Sequence, residues 1–179
     1  IFGVEVKITD DDNKELPWDG VAFGALKVRG PWICSSYFKL EGSSAHEEDG
    51  WFETGDVASI DANGNVSITD RTKDVIKSGG EWISSIEVEN CATGHPMVAE
   101  AAVIGRIHPK WGERPLLIVV KNGEGDVSPD ELKGFLDGKI AKWWIPDDVQ
   151  YIEEMPHTAT GKIQKMKLRE MFGDYQFPA

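Results

Sequence analysis

The sequence predicts an α+β chain, in which a β-rich first part (residues 1–70) precedes a compact mixed part (residues 71–179). In the first part apolar residues alternate with polar ones between turn signals, and in the second part helix-capping sequences separate apolar strands. The two parts also differ in charge: residues 1–70 hold 14 acidic and 5 basic residues, whereas residues 71–179 hold 17 acidic and 14 basic residues. We expect a barrel-like fragment first, then a three-stranded sheet with flanking helices and a β-hairpin.

The first part is predicted to contain short antiparallel strands. Residues 3–9 alternate, residues 10–13 form a polar turn, and residues 25–29 repeat the alternation. Further on, residues 57–60 and 66–69 flank the turn sequence Asp-Ala-Asn-Gly-Asn, which predicts a second hairpin.

A glycine loop followed by a helix opens the second part. Residues 74–77 suggest a brief strand, and Ser78-Gly79-Gly80 a tight loop. Ser84 or Ser85 is the predicted N-cap of a helix that ends near Thr93, because Glu87 follows Ser84 by three residues.

Three strands and two more helices complete the prediction. Residues 98–107 and 116–121 are apolar enough for central strands, joined by a turn at 108–112. Ser128-Pro129-Asp130-Glu131 has the residues of a capping box with proline at the first helical position. The remaining predicted features are the buried stripe of this helix (Leu132, Phe135, Leu136 and Ile140), a strand at 149–153, a loop at 155–161 and a terminal helix at 164–172.

Composition limits the classes of function. The net charge of −12 argues against binding a nucleic-acid backbone. Two cysteines, Cys34 and Cys91, are too few for a disulfide framework and indicate a reducing cytoplasm. The longest apolar run, residues 116–120, is far shorter than the ~20 residues of a membrane span.

The loop at residues 157–162, His-Thr-Ala-Thr-Gly-Lys, presents Lys162 on a small, hydroxyl-rich segment that suits contact with an oxyanion. It is not a phosphate-binding loop of the Walker type, because Pro156 and Ile163 replace the required glycine and hydroxyl residue. An exposed lysine before a terminal helix is the alternative interpretation.

Cations and glycines meet near the predicted boundary. Arg71, Lys73 and Lys77 would share one face if they lay on one strand, although a solvated strand face is an equal alternative. The adjacent residues 78–80 permit close approach of a ligand, or form a simple turn.

Asp56 follows a glycine, where a carboxylate can accept hydrogen bonds from ribose hydroxyls or merely serve a turn. The four histidines occur in separate loops without metal-ligand spacing, so no metal site is predicted.

Taken together, these segments resemble the adenylate-forming, or AMP-binding, enzymes. Residues 51–56, 70–83 and 156–162 match the order and spacing of that family, and the stretches between them resemble its fatty-acyl-CoA synthetase branch (residues 101–105, 109–115 and 141–146). The resemblance implies that residues 71–179 are the mobile C-terminal domain, and that residues 1–70 are the incomplete end of the large nucleotide-binding domain.

The resemblance also implies an acid–thiol ligase. Such enzymes activate a carboxylate with Mg-ATP to an acyl-adenylate and then transfer the acyl group to CoA. By resemblance, Asp56 holds the ribose hydroxyls, Arg71 contacts the same nucleotide, and Lys162 bridges carboxylate and phosphate oxygens during adenylation. Lys73 matches the hinge about which the C-terminal domain rotates.

After rotation, the glycine loop is expected to line the tunnel for the pantetheine arm of CoA. The residues implied are Lys77, Ser78, Gly79, Gly80, Glu81 and Trp82. The phosphate loop and acyl pocket of the family are missing, so we expect most of the ATP and Mg²⁺ site to lie upstream and this fragment to be inactive alone. There are two alternatives: a non-catalytic module that binds CoA or a carrier protein, and a domain that loads aryl or amino acids onto a carrier. We also expect that the fragment could form a homodimer.

Overall fold

The structure, a computed structural model, describes residues 2–37, 46–47, 49–123 and 125–178. It divides into two compact units, Ile1–Lys73 and Asp74–Ala179. The division lies between Lys73 and Asp74, whereas the sequence pattern placed a boundary between residues 70 and 71.

The first unit is a four-stranded antiparallel sheet. Its strands follow one another in space in the order β1-β2-β3-β4. Ile8 and Leu26, which belong to the two segments of predicted alternation, are buried on the sheet together with Ala58 and Ile60. The bounds are β1 (Glu5–Thr9), β2 (Phe23–Arg29), β3 (Phe52–Ile60) and β4 (Val66–Arg71).

The hairpin between β3 and β4 confirms the turn predicted at residues 61–65. One carboxylate oxygen of Asp61 accepts hydrogen bonds from the backbone amides of Asn63 and Asn65, each at 2.9 Å. The side-chain amide of Asn65 and these backbone amides hold the pKa of Asp61 below its ordinary value. The turn therefore depends on local contacts that the sequence itself encodes.

The second unit contains five strands, three α-helices and one 3₁₀ helix in its described part. The strands run in the order β6-β5-β8-β7, and β9 pairs with β8 in parallel. No described helix is long and apolar enough to cross a membrane. The bounds are β5 (Ile76–Ser78), β6 (Glu81–Ile83), α1 (Ser85–Thr93), β7 (Val98–His108), β8 (Gly112–Lys121), α2 (Pro129–Leu136), the 3₁₀ helix (Lys142–Trp144), β9 (Asp148–Tyr151) and α3 (Lys165–Met171).

A buried cluster between the β7–β8 pair and α3 forms one core of this unit. Ala102 and Ile104 of β7 and Leu116 and Ile118 of β8 are fully buried with Leu168 of α3. Apolar burial of this kind contributes about 1.5–3 kcal/mol per large aliphatic side chain. The sheet of β7, β8 and β9 matches the predicted three strands, and the β5–β6 hairpin extends it.

Both predicted helix caps are confirmed. The hydroxyl of Ser84 accepts a hydrogen bond from the Glu87 amide at 3.2 Å. At α2, the Ser128 hydroxyl accepts from the Glu131 amide (3.3 Å), and the Glu131 carboxylate accepts from the Ser128 amide (2.8 Å). These hydrogen bonds satisfy amides that a helix start leaves unpaired.

Several boundaries in the second unit differ from the prediction, among them the end of α2 and the start of β8. Ile140 lies beyond α2, which ends at Leu136 because Gly138 has a positive φ of 76° that a helix cannot continue. Strand β8 begins at Gly112 rather than Leu116, since Gly112 pairs with His108 and leaves only residues 109–111 for the turn.

The prediction that Arg71, Lys73 and Lys77 share a strand face is wrong. Arg71 is the last residue of β4, Lys73 lies in a turn, and Lys77 lies on β5, which begins at Ile76 instead of Asp74. The two-residue period applies only within one strand, and here the chain passes from one unit to the next.

Helix α3 is attached to the rest of its unit by two ion pairs. The Lys165 ammonium lies 2.7 Å from the Glu89 carboxylate of α1, and both side chains are mostly buried. Arg169 pairs with Asp74 at 2.8 Å. These contacts fix the start of α3, three residues after Lys162, relative to α1 and to the entry of β5.

The C-terminal segment is held by a hydrogen bond from the Tyr175 hydroxyl to the Asp148 carboxylate. Burial and this bond raise the pKa of Tyr175 well above its ordinary value. Burial alone would raise the pKa of Asp148, but hydrogen bonds from Tyr175, the Val149 amide and Gln150 together lower it. The pair is therefore a neutral phenol donating to a carboxylate.

Removing the cap of α2 should loosen that helix. We expect Ser128→Ala to destabilise α2 by ~1 kcal/mol, because the Glu131 amide loses its acceptor. Hydrogen exchange of the α2 amides should then become roughly fivefold faster. Ser128→Asp, which supplies another capping oxygen, is the control, and unchanged exchange in Ser128→Ala would contradict the role of the cap.

Docking of the C-terminal segment should weaken at high pH. The pKa of Tyr175 is raised in the folded protein. Its hydrogen bond therefore contributes fully to the free energy of unfolding below the ordinary pKa of 10.0, and this contribution is lost as the pH rises through the folded pKa. Tyr175→Phe should remove this pH dependence of docking. In an alkaline titration followed by tyrosinate absorbance, the variant should also lack the one tyrosine that ionises at the highest pH. Superimposable titration curves for the variant and the parent, after allowing for one fewer tyrosine, would show that the hydroxyl is not held in this way.

Candidate active-site segments

Lys162 lies on a tight loop between β9 and α3. The Thr158 amide donates to the Lys162 carbonyl (2.7 Å), and the Lys162 amide donates to the Thr158 hydroxyl (3.1 Å). Gly161 takes a positive φ of 79°, a conformation that favours glycine. These bonds hold the backbone of the lysine in one conformation.

The Lys162 side chain points away from the packed part of the unit. Its residue is exposed, and no hydrogen bond or ion pair joins its ammonium to another of the described residues. The base of the loop is anchored to β7, because His157 Nε2 lies 2.8 Å from a carboxylate oxygen of Glu100. Such an arrangement presents one cation from a rigid support.

The predicted glycine loop is a two-residue turn that joins β5 and β6. Ser78 pairs with Glu81, and Gly79 and Gly80 have positive φ angles of 61° and 88°. Two consecutive positive φ angles are the requirement of a type I′ hairpin, which explains why both positions are glycine.

An exposed tryptophan covers one side of this turn. A Cβ atom on Gly79 would lie 3.0 Å from the ring of Trp111, and the Gly79 amide donates to the Trp111 carbonyl at 2.8 Å. On the hairpin itself, the Lys77 ammonium lies 5.0 Å from the centre of the Trp82 ring. The turn thus carries aromatic and cationic groups on a narrow backbone, which suits passage of a thin, polar ligand arm.

Arg114 is a residue that sequence reasoning did not single out, although it lies within the stretch 109–115 that carries the family resemblance. Its guanidinium donates to the Ser78 hydroxyl (3.2 Å) next to the turn and to the Asp147 carboxylate (2.8 Å). It also donates to the carbonyl oxygens of Trp143 (2.8 Å) and Ile145 (3.1 Å). These partners are 29 to 36 residues away in sequence, so no local pattern indicates them.

Asp56 and Arg71, the predicted nucleotide-binding residues, lie side by side in the first unit. They are cross-strand partners of β3 and β4, and Arg71 Nη1 lies 2.9 Å from Asp56 Oδ1. The Arg71 side chain is 58% exposed, whereas that of Asp56 is 20% exposed. The guanidinium is therefore available to a second anionic group while it orients the carboxylate.

The backbone beside Asp56 is held by the preceding residues. Gly55 has a positive φ of 76°, and its carbonyl accepts from the Thr72 amide at 3.0 Å. The Thr54 hydroxyl accepts from the Asp56 amide (3.1 Å) and donates to the Leu26 carbonyl (3.0 Å). Lys73, the predicted hinge, is the last residue of the first unit.

The described residues contain no group of three or more histidine, cysteine or acidic side chains that could hold a metal ion. Two histidines make local contacts: His95 Nδ1 accepts a hydrogen bond from the Met97 amide (3.2 Å), and His108 Nδ1 accepts one from the Lys110 amide (3.1 Å).

Comparison with known proteins finds similarity to one family of enzymes. Residues 87–162 match the family described as AMP-binding enzyme C-terminal domain. The chain is 57% identical over 173 residues to the 3-methylmercaptopropionyl-CoA ligase of Ruegeria lacuscaerulensis and 49% identical over 173 residues to the medium-chain-fatty-acid–CoA ligase of Ectopseudomonas oleovorans. Each match covers 97% of this chain and 32% of the relative, so the chain spans about a third of their length.

Solved structures give the same result. ATP-bound MatB from Rhodopseudomonas palustris superimposes with a TM-score of 0.82 at 33% identity, over 96% of this chain and 34% of that one. The o-succinylbenzoate CoA synthetase MenE of Bacillus subtilis, in complex with its acyl-adenylate intermediate, gives 0.79 at 34% identity, over 94% and 34% of the two chains. Residues 87–162 therefore match an AMP-binding enzyme C-terminal domain, and the chain is similar over 97% of its length to the C-terminal part of a CoA ligase.

Proposed function

We propose that this chain is the C-terminal part of an ATP-dependent acyl-CoA ligase, in which Asp74–Ala179 is the mobile domain and Ile1–Lys73 is the last part of the large domain. The observation that carries the proposal is the exposed Lys162, presented on a hydrogen-bonded loop at the end of the segment that matches the family. The names of the relatives favour a fatty acid or a related carboxylic acid as substrate.

In the first half-reaction, a carboxylate oxygen attacks the α-phosphorus of ATP and pyrophosphate leaves. Negative charge increases on the phosphate oxygens in the transition state. The Lys162 ammonium donates to these oxygens and to the carboxylate, which lowers the barrier without any proton transfer. A bound Mg²⁺ would offset charge on the phosphates; the described residues contain no group of three or more histidine, cysteine or acidic side chains that could hold it.

In the second half-reaction, the CoA sulfur attacks the carbonyl carbon of the acyl-adenylate, AMP leaves, and the thiol proton is released to solvent. The turn at Gly79 and Gly80 lines the passage for the pantetheine arm, together with Lys77, Glu81 and Trp82, while the buried Ser78, also predicted to line it, supports the turn from inside the unit. Lys73 is the hinge that allows the domain to present Lys162 first and this turn second.

The nucleotide is held in the first unit by the Asp56–Arg71 pair. The Asp56 carboxylate accepts hydrogen bonds from the ribose hydroxyls, and Arg71 contacts the same nucleotide through its exposed guanidinium. Cytoplasmic location and a homodimer stay predictions from the sequence.

Two alternatives keep the same domain. A non-catalytic binding module would produce no pyrophosphate, and a carrier-loading enzyme would transfer the acyl group to a carrier protein instead of CoA. The relatives at 57% and 49% identity are named as CoA ligases, which favours CoA as the acceptor.

Lys162→Ala should abolish adenylation in the full-length protein that contains this chain. We expect pyrophosphate release with 3-methylmercaptopropionate or medium-chain fatty acids to fall roughly 10²–10³-fold, as on removal of one transition-state donor. Thioester formation from supplied acyl-adenylate and CoA should change little, because Lys162 acts only in the first step.

The matched control is Lys167→Ala, which removes another exposed lysine of the same unit, five residues further along the chain. It should leave both half-reactions intact. Equal activity of Lys162→Ala and the parent in pyrophosphate release would refute the catalytic role, and absence of pyrophosphate release from the parent with every acid would refute the ligase.

Gly80→Ala should impair mainly the second half-reaction. The substitution forces an L-residue to a φ of 88°, which costs roughly 1–3 kcal/mol or moves the turn. We expect thioester formation from supplied acyl-adenylate to slow about tenfold. Gly138→Ala is the matched control, since Gly138 has a φ of 76° and equal open space but lies after α2, away from the hairpin. If both variants slow the thioester step equally, the effect is one of general stability and the turn has no special role.

A further inference from the structure

The Gly79-Gly80 turn is weakly supported by its own backbone. Strands β5 and β6 have three residues each, and β5 pairs with β8 through a single residue pair, Ser78 with Gly112. A short hairpin of this kind is marginally stable without side-chain contacts. Besides this pair, one backbone bond holds the turn, from the Gly79 amide to the Trp111 carbonyl, so its position depends largely on the side chains that contact it.

Two neighbouring side chains of β8 supply that support. A carboxylate oxygen of Glu113 accepts from the Lys77 amide at 3.2 Å, and Arg114 donates to the Ser78 hydroxyl at 3.2 Å. Ser78 is only 6% exposed, so this hydroxyl lies inside the unit and not on its surface. The Arg114 side chain is 12% exposed.

The remaining donors of Arg114 bind one short segment that begins inside the 3₁₀ helix. Nε and Nη2 contact Asp147 Oδ1 at 2.8 and 2.6 Å, and further bonds reach the carbonyls of Trp143 and Ile145. Asp147 is itself anchored, because its amide donates to the Pro115 carbonyl (3.1 Å) and its carbonyl accepts from Lys133 (2.6 Å). One guanidinium thus joins the turn to a fixed point in the sheet.

We propose that Arg114 is a positioning residue for thioester formation, which sets the Gly79-Gly80 turn by holding Ser78 against the segment 143–147. The inference rests on the proposed function. Arg114 acts through Ser78 and does not touch the reacting atoms. A lysine keeps the charge but cannot reproduce these bonds in their fixed planar geometry, so the two residues are not equivalent here.

The test compares Arg114→Lys and Arg114→Gln in the full-length protein, with each half-reaction assayed separately. We expect both variants to lower kcat for conversion of supplied acyl-adenylate and CoA roughly 10–100-fold, the loss expected for a reacting group displaced by about 1 Å. The KM for CoA should change less than kcat, and pyrophosphate release should stay near the parent rate. Because Lys162 belongs to the same unit, preserved adenylation also shows that the unit has folded.

Arg106→Lys is the matched control. Arg106 is the cross-strand partner of Arg114, but it donates to the Gly173 carbonyl and not to the turn. It should leave both half-reactions unchanged. A double-mutant cycle with Ser78→Ala adds a second readout: the double variant should be no slower than Arg114→Gln alone, since both changes remove the same bond.

Three outcomes would overturn the inference. If Arg114→Gln raised the KM for CoA and Arg114→Lys kept the KM of the parent, Arg114 would be a cation that binds CoA. Equal loss of both half-reactions would make its role purely structural, and no loss would remove any role. If the parent itself performs neither half-reaction, the proposed function fails, and this result is distinct from the other three.

Discussion

The long antiparallel pair β7–β8 is the constraint on which the second unit depends. Its register from Val98–Lys121 to His108–Gly112 is continuous except for one irregularity near Glu100, and its centre is fully buried. A shift of one residue would move the buried aliphatic side chains to the other face, so the core permits only this register. Every candidate residue of the unit is placed by this pair, since β5, β9 and α3 all contact it.

Stability and chemistry are divided between the middle and the ends of these strands. The fully buried centre contains only apolar residues, such as Ile104 and Leu116, whereas the charged residues Glu113 and Arg114 occupy the end of β8 nearest the glycine turn. The opposite arrangement would bury unpaired charge in the core at high cost. The lysine loop follows the same rule, because it leaves the sheet before it presents its cation.

Sequence reasoning succeeded where the determining contacts are local. The Ser128–Glu131 capping box and the Asp61–Asn65 turn each lie within a few residues, so residue type and spacing encode them. It failed for Ile140, which was assigned by apolar spacing alone although Gly138 takes a positive φ before it, and for the shared face of Arg71, Lys73 and Lys77, where a unit boundary intervenes. The Arg114 contacts could not be predicted, because they join segments far apart in the chain whose proximity only the folded sheet creates.

The backbone conformation of the glycine turn has a consequence for how this hairpin can vary. With φ angles of 61° and 88°, both residues occupy a region natural to amino acids of the opposite hand. Ribosomal synthesis supplies only L-residues and achiral glycine, so nearly every substitution at these two positions carries backbone strain, apart from asparagine and aspartate, which tolerate it best. Any change in the shape of this turn must therefore arise in the flanking side chains, and only a D-residue, introduced by chemical synthesis, would add a side chain at Gly80 without that backbone strain.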